Sequence, residues 1–192
     1  MIKNLLLELR SACLITGVLI LLTCGLYPLA VWGLAQVIFP GYANGSMITG
    51  NGKPVASALI AQPFAGKEYF HPRPSAVDYN ASGSGGSNLG PLSAKFIDST
   101  RLRAERYRQE NGLAPDSVIP ADAATASGSG LDPHISVENA LLQADRVAKA
   151  RGVTDYFILE MIKTHTERRD LWILGQPRVN IVKLNLALDE LK

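Results

Sequence analysis

The stretch that decides the fold lies near the N-terminus: residues 11–39 read SACLITGVLILLTCGLYPLAVWGLAQVIF and contain no charged residue. In a helix, about 20 apolar residues at about 1.5 Å each cover the hydrocarbon core of a bilayer, which is roughly 30 Å thick. The stretch exceeds that length and predicts a transmembrane helix over residues 11–39. Pro28 lies inside it, so we expect a kink or a rebonded carbonyl near Cys24, because proline lacks an N–H group.

Two other interpretations of the stretch stay open at the level of sequence. A cleaved signal peptide has an apolar region of only about 7–15 residues before a small-residue cleavage site, and Gly41-Tyr42-Ala43 matches such a site weakly. The core helix of a soluble protein is the other alternative, although such a helix rarely runs this far without a charge. The length favours a retained membrane anchor.

The charges before the stretch predict its orientation. Lys3 and Arg10, together with the terminal amine, outnumber Glu8, and basic residues stay preferentially on the cytoplasmic side of a membrane helix. We therefore expect residues 1–10 in the cytoplasm and residues 40–192 outside it, as one exported domain.

Composition excludes several classes of protein. The chain has 192 residues, of which 47% are hydrophobic and 19% charged, and its formal net charge is +2. So small a net charge gives no reason to expect a nucleic acid as partner, and the composition is unlike that of collagens, disulfide scaffolds or disordered chains. The only cysteines, Cys13 and Cys24, both lie in the apolar stretch, roughly 16 Å apart along a helix and beyond disulfide reach.

Downstream of the stretch, short strands and amphipathic helices alternate with loops. Asn51-Gly52 suits a hairpin turn, Ser136 can cap a helix that Gly152 ends, and Thr154 begins another helix. Pro91 can occupy the first turn of a helix, where its missing N–H costs nothing. The predicted strands are residues 47–48 and 54–60, and the predicted helices are residues 91–111, 136–150, a short one from 154, and 179–191, where 179–181 suits a strand equally well.

Apolar residues at near-3.6 spacing predict which helix faces are buried. The expected inward residues are Phe96, Ile97, Thr100, Ala104 and Tyr107; Val137, Leu141, Ala144 and Ala148; Phe157, Ile158, Met161 and Ile162; and Ile181, Leu184, Leu188 and Leu191. The predicted fold class is therefore α+β: one N-terminal transmembrane helix, then a single exported α+β domain with two long Gly/Ser-rich loops, at residues 62–90 and 113–133.

The chain lacks the sequence motifs of standard catalytic sites. The P-loop, zinc-protease, nucleophile-elbow and CxxC patterns are absent. His71, His134 and His165 lie far apart in sequence and outside any regular ligand spacing. We therefore predict no catalytic residue and no metal site.

One glycine-rich segment is a candidate anion site. Residues 82–88 read SGSGGSN, and successive backbone N–H groups of such a segment can form a nest for an anion. The segment lacks the lysine that neutralises phosphate in a P-loop, so a tight structural turn is favoured over a phosphate cradle. The candidate residues are Ser84, Gly85, Gly86, Ser87 and Asn88.

Several blocks, taken in order, resemble one known family. The sequence is similar to the C subunit of the Kdp high-affinity potassium-transporting P-type ATPase of bacteria, over nearly the whole chain. The blocks are Tyr27-Pro28 and residues 44–46, 57–64, 69–75, 81–89, 125–136, 146–151, 174–180 and 184–189.

The resemblance implies a small single-helix subunit of a bacterial inner-membrane complex that imports K⁺ using ATP, with its C-terminal domain in the periplasm. In that family a second subunit conducts potassium and a third, the P-type pump subunit, hydrolyses ATP and is phosphorylated. The C subunit is needed for assembly and is described as a catalytic chaperone that raises the ATP affinity of the pump subunit. That idea draws on a likeness to the Leu-Ser-Gly-Gly-Gln loop of ABC transporters, but here Ser84-Gly85-Gly86 is followed by Ser87 in place of Gln.

The expected function is accordingly that of an accessory subunit without catalysis of its own. Its expected partners are the potassium-conducting subunit, the pump subunit and the lipid bilayer, with no nucleic acid. Binding of ATP through residues 84–88 is the alternative, and it conflicts with a domain outside the cytoplasm, where ATP is not supplied. An anchored periplasmic hydrolase, with a site assembled from distant residues, is a third hypothesis.

Overall fold

A computed structural model describes residues 2–50 and 52–190 of the chain, residues 2–5 by their backbone alone. The chain divides into two compact units, one ending at Met47 and the other beginning at Ile48. Asn51 of the predicted hairpin turn and Leu191 of the predicted terminal helix lie outside the described residues. The predicted α+β class is confirmed, because one apolar helix precedes a domain of mixed helices and small sheets.

The N-terminal unit is one long helical rod. It comprises α1 (Ile2–Ile20), a π-helical turn (Leu21–Leu26), α2 (Tyr27–Ile38) and the short α3 (Pro40–Ala43). Within it, Leu6–Ile38 has a mean hydropathy of 2.2 over its most apolar window, and none of that window is buried. The alternative of a soluble core helix is therefore wrong, since a core helix buries its apolar side chains in its own protein.

The expected rearrangement before Pro28 is present as the π-helical turn. The N–H of Tyr27 donates to the carbonyl of Leu22, five residues back instead of four. Because Pro28 has no N–H to offer, the preceding turn widens, and Pro28 itself lies in the first turn of α2, where a missing N–H is tolerated. The hydroxyl of Thr23 donates to the carbonyl of Leu19 at 2.7 Å, which satisfies a polar group inside an apolar segment.

Two small sheets and five helices form the second unit. The predicted hairpin is confirmed as β1 (Met47–Gly50) and β2 (Lys53–Ser57), although the second strand ends three residues earlier than expected. After a long loop come the remaining elements, in the order α4 (Ala94–Glu110), α5 (Ala121–Ala124), β3 (His134–Ser136), α6 (Val137–Arg151), α7 (Asp155–Thr164), β4 (Thr166–Glu167), β5 (Arg178–Asn180) and α8 (Ile181–Asp189). The second sheet has the order β3-β5-β4, and its neighbours are antiparallel.

The predicted caps set the helix boundaries around this sheet. Ser136 accepts a hydrogen bond from the N–H of Asn139, Thr154 accepts one from Phe157, and Gly152 ends α6 with φ +68°. Residues 179–181, which suit a strand or a helix equally well in sequence, lie where both elements meet. Strand β5 pairs with β3 and β4, and Asn180 then caps α8 by accepting from the N–H groups of the second and third following residues.

The hydrophobic core lies where α6, α7 and α8 pack against the three-stranded sheet. Phe157 and Met161 are partly buried against this core. The core residues are Ala56, Phe70, Ile135, Ala140, Ala144, Val147, Ala148, Ile158, Ile162, Val179, Ile181, Val182, Leu184 and Leu188.

Three predictions about the helices are wrong. Pro91 lies outside α4, because the N–H of Ser93 donates to the carbonyl of Gly90 in a turn, and Ser93 has an extended, non-helical backbone. Ile97 is 54% exposed, since Tyr107 alone is buried on α4. Leu141 is 47% exposed because the buried face of α6 also takes in polar side chains, which shifts that face away from Leu141.

Candidate functional site

The two Gly/Ser segments that stand out in the sequence lie against each other. The N–H of Gly85 donates to the carbonyl of Ser129 at 2.9 Å, and the hydroxyl of Ser84 donates to the same carbonyl at 3.0 Å. The second segment also contacts the chain ahead of the first, since the N–H of Ser127 donates to the carbonyl of Pro74 at 3.0 Å. We call residues 82–88 and 127–130 the paired loops.

Close backbone approach explains why glycines recur in the paired loops. A Cβ atom on Gly86 would lie 2.9 Å from the carbonyl oxygen of Gly128. Gly130 has φ +68°, and a Cβ there would meet the side chain of Val77 at 2.4 Å and the carbonyl oxygen of Gly85 at 2.8 Å. Only glycine fits without displacing backbone at these two positions.

A serine hub holds the paired loops from one side. The hydroxyl of Ser75 donates to the carbonyl of Gly130 at 2.8 Å and accepts from the N–H groups of Val77 and Tyr79. The hydroxyl of Tyr79 in turn donates to the carbonyl of Arg73 at 2.9 Å, and burial raises the pKa of Tyr79. The hydrogen bonds of Ser75 thus hold the paired loops, at Gly130, to the turn formed by residues 75–79.

The five candidate nucleotide-binding residues divide into two groups. Ser84 and Gly85 use their hydroxyl and N–H groups on the partner loop. Within the described residues, the backbone N–H groups of Gly86, Ser87 and Asn88 have no protein acceptor, and Asn88 adopts φ +52°. The sequence between Arg73 and Lys95 contains no basic residue, so the segment itself supplies no cationic side chain to an anion.

A buried polar face on α6 ties the long loop at residues 58–93 to the helices. The guanidinium of Arg146 donates to the side-chain oxygens of Asn111 and Gln143 and to the carbonyls of Lys67 and Tyr69, at 2.6–2.9 Å. All of these acceptors are neutral, and burial lowers the pKa of Arg146. We call Asn139, Gln143 and Arg146 the polar face of α6.

Two further groups complete the network around this face. The N–H of His71 donates to the side chain of Gln143 at 2.7 Å, while burial and then the charge of Arg146 lower the pKa of His71. The hydroxyl of Tyr107 donates to the side-chain oxygen of Asn139 at 2.8 Å, and burial followed by the charge of Asp122 raises the pKa of Tyr107. Both groups are therefore neutral near pH 7.

An open groove of about 580 Å³ at the edge of the sheet is lined by charges of both signs. Arg73 pairs with Asp132 at 3.2 Å, and His134 lies 3.4 Å from both Asp132 and Glu167. Burial opposes ionisation of Asp132, but hydrogen bonds from His134 and the charge of Arg73 lower its pKa. Within residues 2–50 and 52–190, no three His, Cys, Asp or Glu side chains gather as ligands for a metal ion.

The loop between β4 and β5 exposes four consecutive apolar residues. Leu171, Trp172, Ile173 and Leu174 are 79%, 79%, 74% and 55% exposed. We call residues 171–174 the hairpin tip. Reciprocal backbone hydrogen bonds of 2.9 Å between Asp170 and Leu174 close it at its base.

The comparisons with known proteins give a family for the chain. The family described as "KdpC: K+-transporting ATPase, c chain" matches residues 9–190. The chain belongs to the KdpC family. The matched residues include most of the apolar helix and the whole of the paired loops, the polar face of α6 and the hairpin tip.

Curated relatives agree along nearly their whole length. A protein of Rhodospirillum rubrum named potassium-transporting ATPase KdpC subunit is 50% identical over 186 residues, 95% of each chain. A protein of Myxococcus xanthus with the same name is 50% identical over 194 residues, 98% of this chain and 89% of its own. One from Geobacter sulfurreducens, also so named, is 47% identical over 188 residues, 96% of this chain and 98% of its own.

Sequence reasoning missed the polar face and the hairpin tip. Asn139, Gln143 and Arg146 recur at positions i, i+4 and i+7 of one helix, which is the spacing of a buried stripe, but polar residues are usually assigned to the solvent side. The tip follows Arg168-Arg169-Asp170 and precedes Gly175, and a short apolar run between turn residues is typical of a buried strand.

Proposed function

We propose that the chain is an accessory subunit of an ATP-driven K⁺ importer, anchored in the inner membrane by its N-terminal helix and placing its second unit outside the cytoplasm. There it would stabilise the potassium-conducting and ATP-hydrolysing subunits and couple one to the other. Membership of the K⁺-transporting ATPase c chains supports an assembly role.

The observation that carries the proposal is the bare apolar helix. Leu6–Ile38 exposes its whole most apolar window, and so much apolar surface is stable only in lipid or against another membrane protein. A single span cannot enclose a potassium path, so transport must depend on other subunits. Basic residues before the span favour a cytoplasmic N-terminus.

The second unit supports a structural role as well. The polar face of α6 donates to and accepts from other parts of the same domain. Three basic side chains that line the groove pair with nearby carboxylates at 3.1–3.4 Å: Arg73 and His134 with Asp132, and Arg178 with Glu167. Groups committed to internal pairing hold a surface in shape and leave little chemistry for a substrate.

Deletion followed by complementation tests the proposal. Cells lacking this chain should lose high-affinity K⁺ uptake and recover it when the chain is restored. Affinity purification of the restored chain from membranes should bring down the potassium-conducting and pump subunits in a fixed ratio. Unchanged uptake in the deletion strain, or a chain that purifies alone, would contradict the proposal.

A second candidate function is binding of ATP to residues 84–88 in support of the pump subunit. Three successive backbone N–H groups without a protein acceptor, those of Gly86, Ser87 and Asn88, favour it. Such a run of donors can hold a phosphate oxygen. The candidate requires the second unit to be in the cytoplasm, in contrast to the first proposal.

Charge placed among these donors tests the second candidate. Ser87→Asp should weaken ATP binding to the full chain at least tenfold in calorimetry, because a carboxylate there repels phosphate. Ser82→Asp is the matched control, since Ser82 is exposed in the same loop but its N–H already donates to Asn80. Absence of any ATP binding by the unaltered chain would eliminate this candidate.

A further inference from the structure

The hairpin tip is an apolar surface that the described residues of the second unit leave exposed. Trp172 is 79% exposed, and its neighbours in the tip are aliphatic and also exposed. Arg168 and Arg169, which Asp170 separates from the tip, are exposed and have no ion-pair partner among the described residues. Large apolar side chains gathered in this way mark interaction sites on soluble surfaces.

The backbone of the tip is strained in a way that fixes these side chains outward. Leu171 and Trp172 adopt φ +50° and +71°, a left-handed conformation that side chains with a Cβ disfavour. The Asp170–Leu174 backbone pair closes the turn, and Arg178 anchors its base through Asp170 at 3.7 Å and Glu167 at 3.1 Å. Strain retained by surrounding structure is characteristic of functional segments.

Fixed geometry and charge together select the kind of partner. A fluid bilayer needs no fixed side-chain geometry, whereas a protein pocket rewards a surface that is already in its bound shape. Tryptophan and arginine are enriched among the residues that dominate protein–protein binding.

We propose that the hairpin tip docks into an apolar pocket, rimmed by carboxylates, on another subunit of the same K⁺-transporting ATPase. Trp172 is the central contact, and Arg168 and Arg169 pair with the rim. This inference rests on the proposed accessory function and assigns a surface to it.

Photocrosslinking in the assembled complex identifies the partner. Benzoylphenylalanine is placed at position 172 of the full chain, in membranes that contain all subunits, and at position 118 as a control, because Val118 is 85% exposed on a different loop. Position 172 should crosslink to another subunit, and position 118 should not. A lipid adduct alone, a crosslink to a second copy of this chain, or no product at position 172 would overturn the proposal.

Release from the purified complex measures the contribution of the tip. Labelled chain in the complex is chased with unlabelled chain, and its dissociation rate is compared among variants. The chain with Trp172→Ala should dissociate from the complex at least tenfold faster than the unaltered chain. The chain with Arg169→Glu should dissociate several-fold faster, and its dissociation rate should depend less on salt. Tyr156→Ala is the matched control, an aromatic residue 74% exposed on α7, and it should leave at the unaltered rate.

The outcomes separate this inference from the function on which it rests. If Trp172→Ala and Tyr156→Ala dissociate at the same rate, the docking surface is refuted while an accessory role stands. If the complex imports K⁺ normally without the chain, the accessory role itself is refuted, and the docking surface loses its basis. Should Trp172→Ala fail to fold, Leu171→Gly, which keeps Trp172 but lets the tip change shape, should still accelerate release.

Discussion

The polar face of α6 and the hairpin tip reverse the usual distribution of side chains. Arg146 is 8% exposed although it carries a charge, whereas Trp172 is 79% exposed although it is apolar. The buried arginine has protein acceptors for its donors, whereas the described residues leave most of the tryptophan side chain exposed. The first region holds the domain together from within, and the second is available to a partner.

The difference teaches that stability and association draw on separate parts of this domain. A buried guanidinium is costly unless its donors are satisfied, so the acceptors around Arg146 are a condition of folding. The exposed tip has no such role in the isolated chain. Substitutions in the two regions should therefore move different observables.

The largest expected effect is on Arg146. Arg146→Met removes four donated hydrogen bonds and leaves the carbonyls of Lys67 and Tyr69 without a donor. The free energy of unfolding of the full chain in detergent should fall by about 3–4 kcal/mol, measured by denaturant titration with circular dichroism. Lys149→Met on the exposed side of the same helix should leave the free energy of unfolding unchanged. Equal effects of the two variants would contradict the role given to the polar face.

A second large effect is expected in the paired loops. Gly130→Ala places a methyl group against Val77 and the carbonyl of Gly85 at a backbone φ of +68°, and it should cost about 2–3 kcal/mol of unfolding free energy. Gly83→Ala in the same pair of loops, where a Cβ would meet only Asn80 at 4.0 Å, should cost less than about 1 kcal/mol. Thermal unfolding of both variants measures these losses of stability. If Gly130→Ala is as stable as the unaltered chain, the paired loops separate easily.

The hairpin tip should show the opposite behaviour. Leu171→Gly relieves a left-handed φ of +50° and should leave the unfolding free energy unchanged or raise it by about 1 kcal/mol. The same variant should be released faster from the complex. A loss of more than about 1 kcal/mol in stability would mean that Leu171 supports the fold, and the contrast between the two regions would fail.

The smallest expected effect is a pH dependence at His71. Burial, and next the charge of Arg146, lower the pKa of His71 in the folded chain, so between that lowered pKa and about 6.5 the unfolded chain binds more protons. Stability should therefore fall as the pH drops below about 6.5, by at most about 1.4 kcal/mol per pH unit. His71→Gln should flatten this part of the pH profile in denaturant titrations, and an identical slope in both proteins would show that His71 does not cause it.

The elements of the fold were largely predictable because their boundaries are set locally. Ser136, Gly152 and Thr154 begin and end helices through their own backbone and side-chain groups, and the charge-free stretch predicted the long helix by itself. The sequence around Pro91 suits both a turn and the start of a helix. In the structure Gly90–Ser93 form a turn that excludes Pro91 from α4, so the predicted helix start was wrong.

The polar face and the hairpin tip were not predictable from local pattern. Whether Arg146 is buried depends on acceptors far away in sequence, such as the carbonyls of Lys67 and Tyr69. Whether Trp172 is exposed depends on the absence of a neighbouring element, which no local spacing encodes. The nucleotide-binding assignment of residues 84–88 stays a prediction, although the contact of Gly85 with Ser129 gives the loop a structural reason of its own.

The side of the membrane on which the second unit lies tests the central claim most directly. Cys13 and Cys24 are the only cysteines, so replacing both by serine and introducing Val118→Cys gives the chain one exposed thiol outside the apolar helix. A membrane-impermeant maleimide added to intact spheroplasts should label this thiol fully before the membrane is permeabilised. Labelling only after the membrane is permeabilised would place the second unit in the cytoplasm and contradict the account.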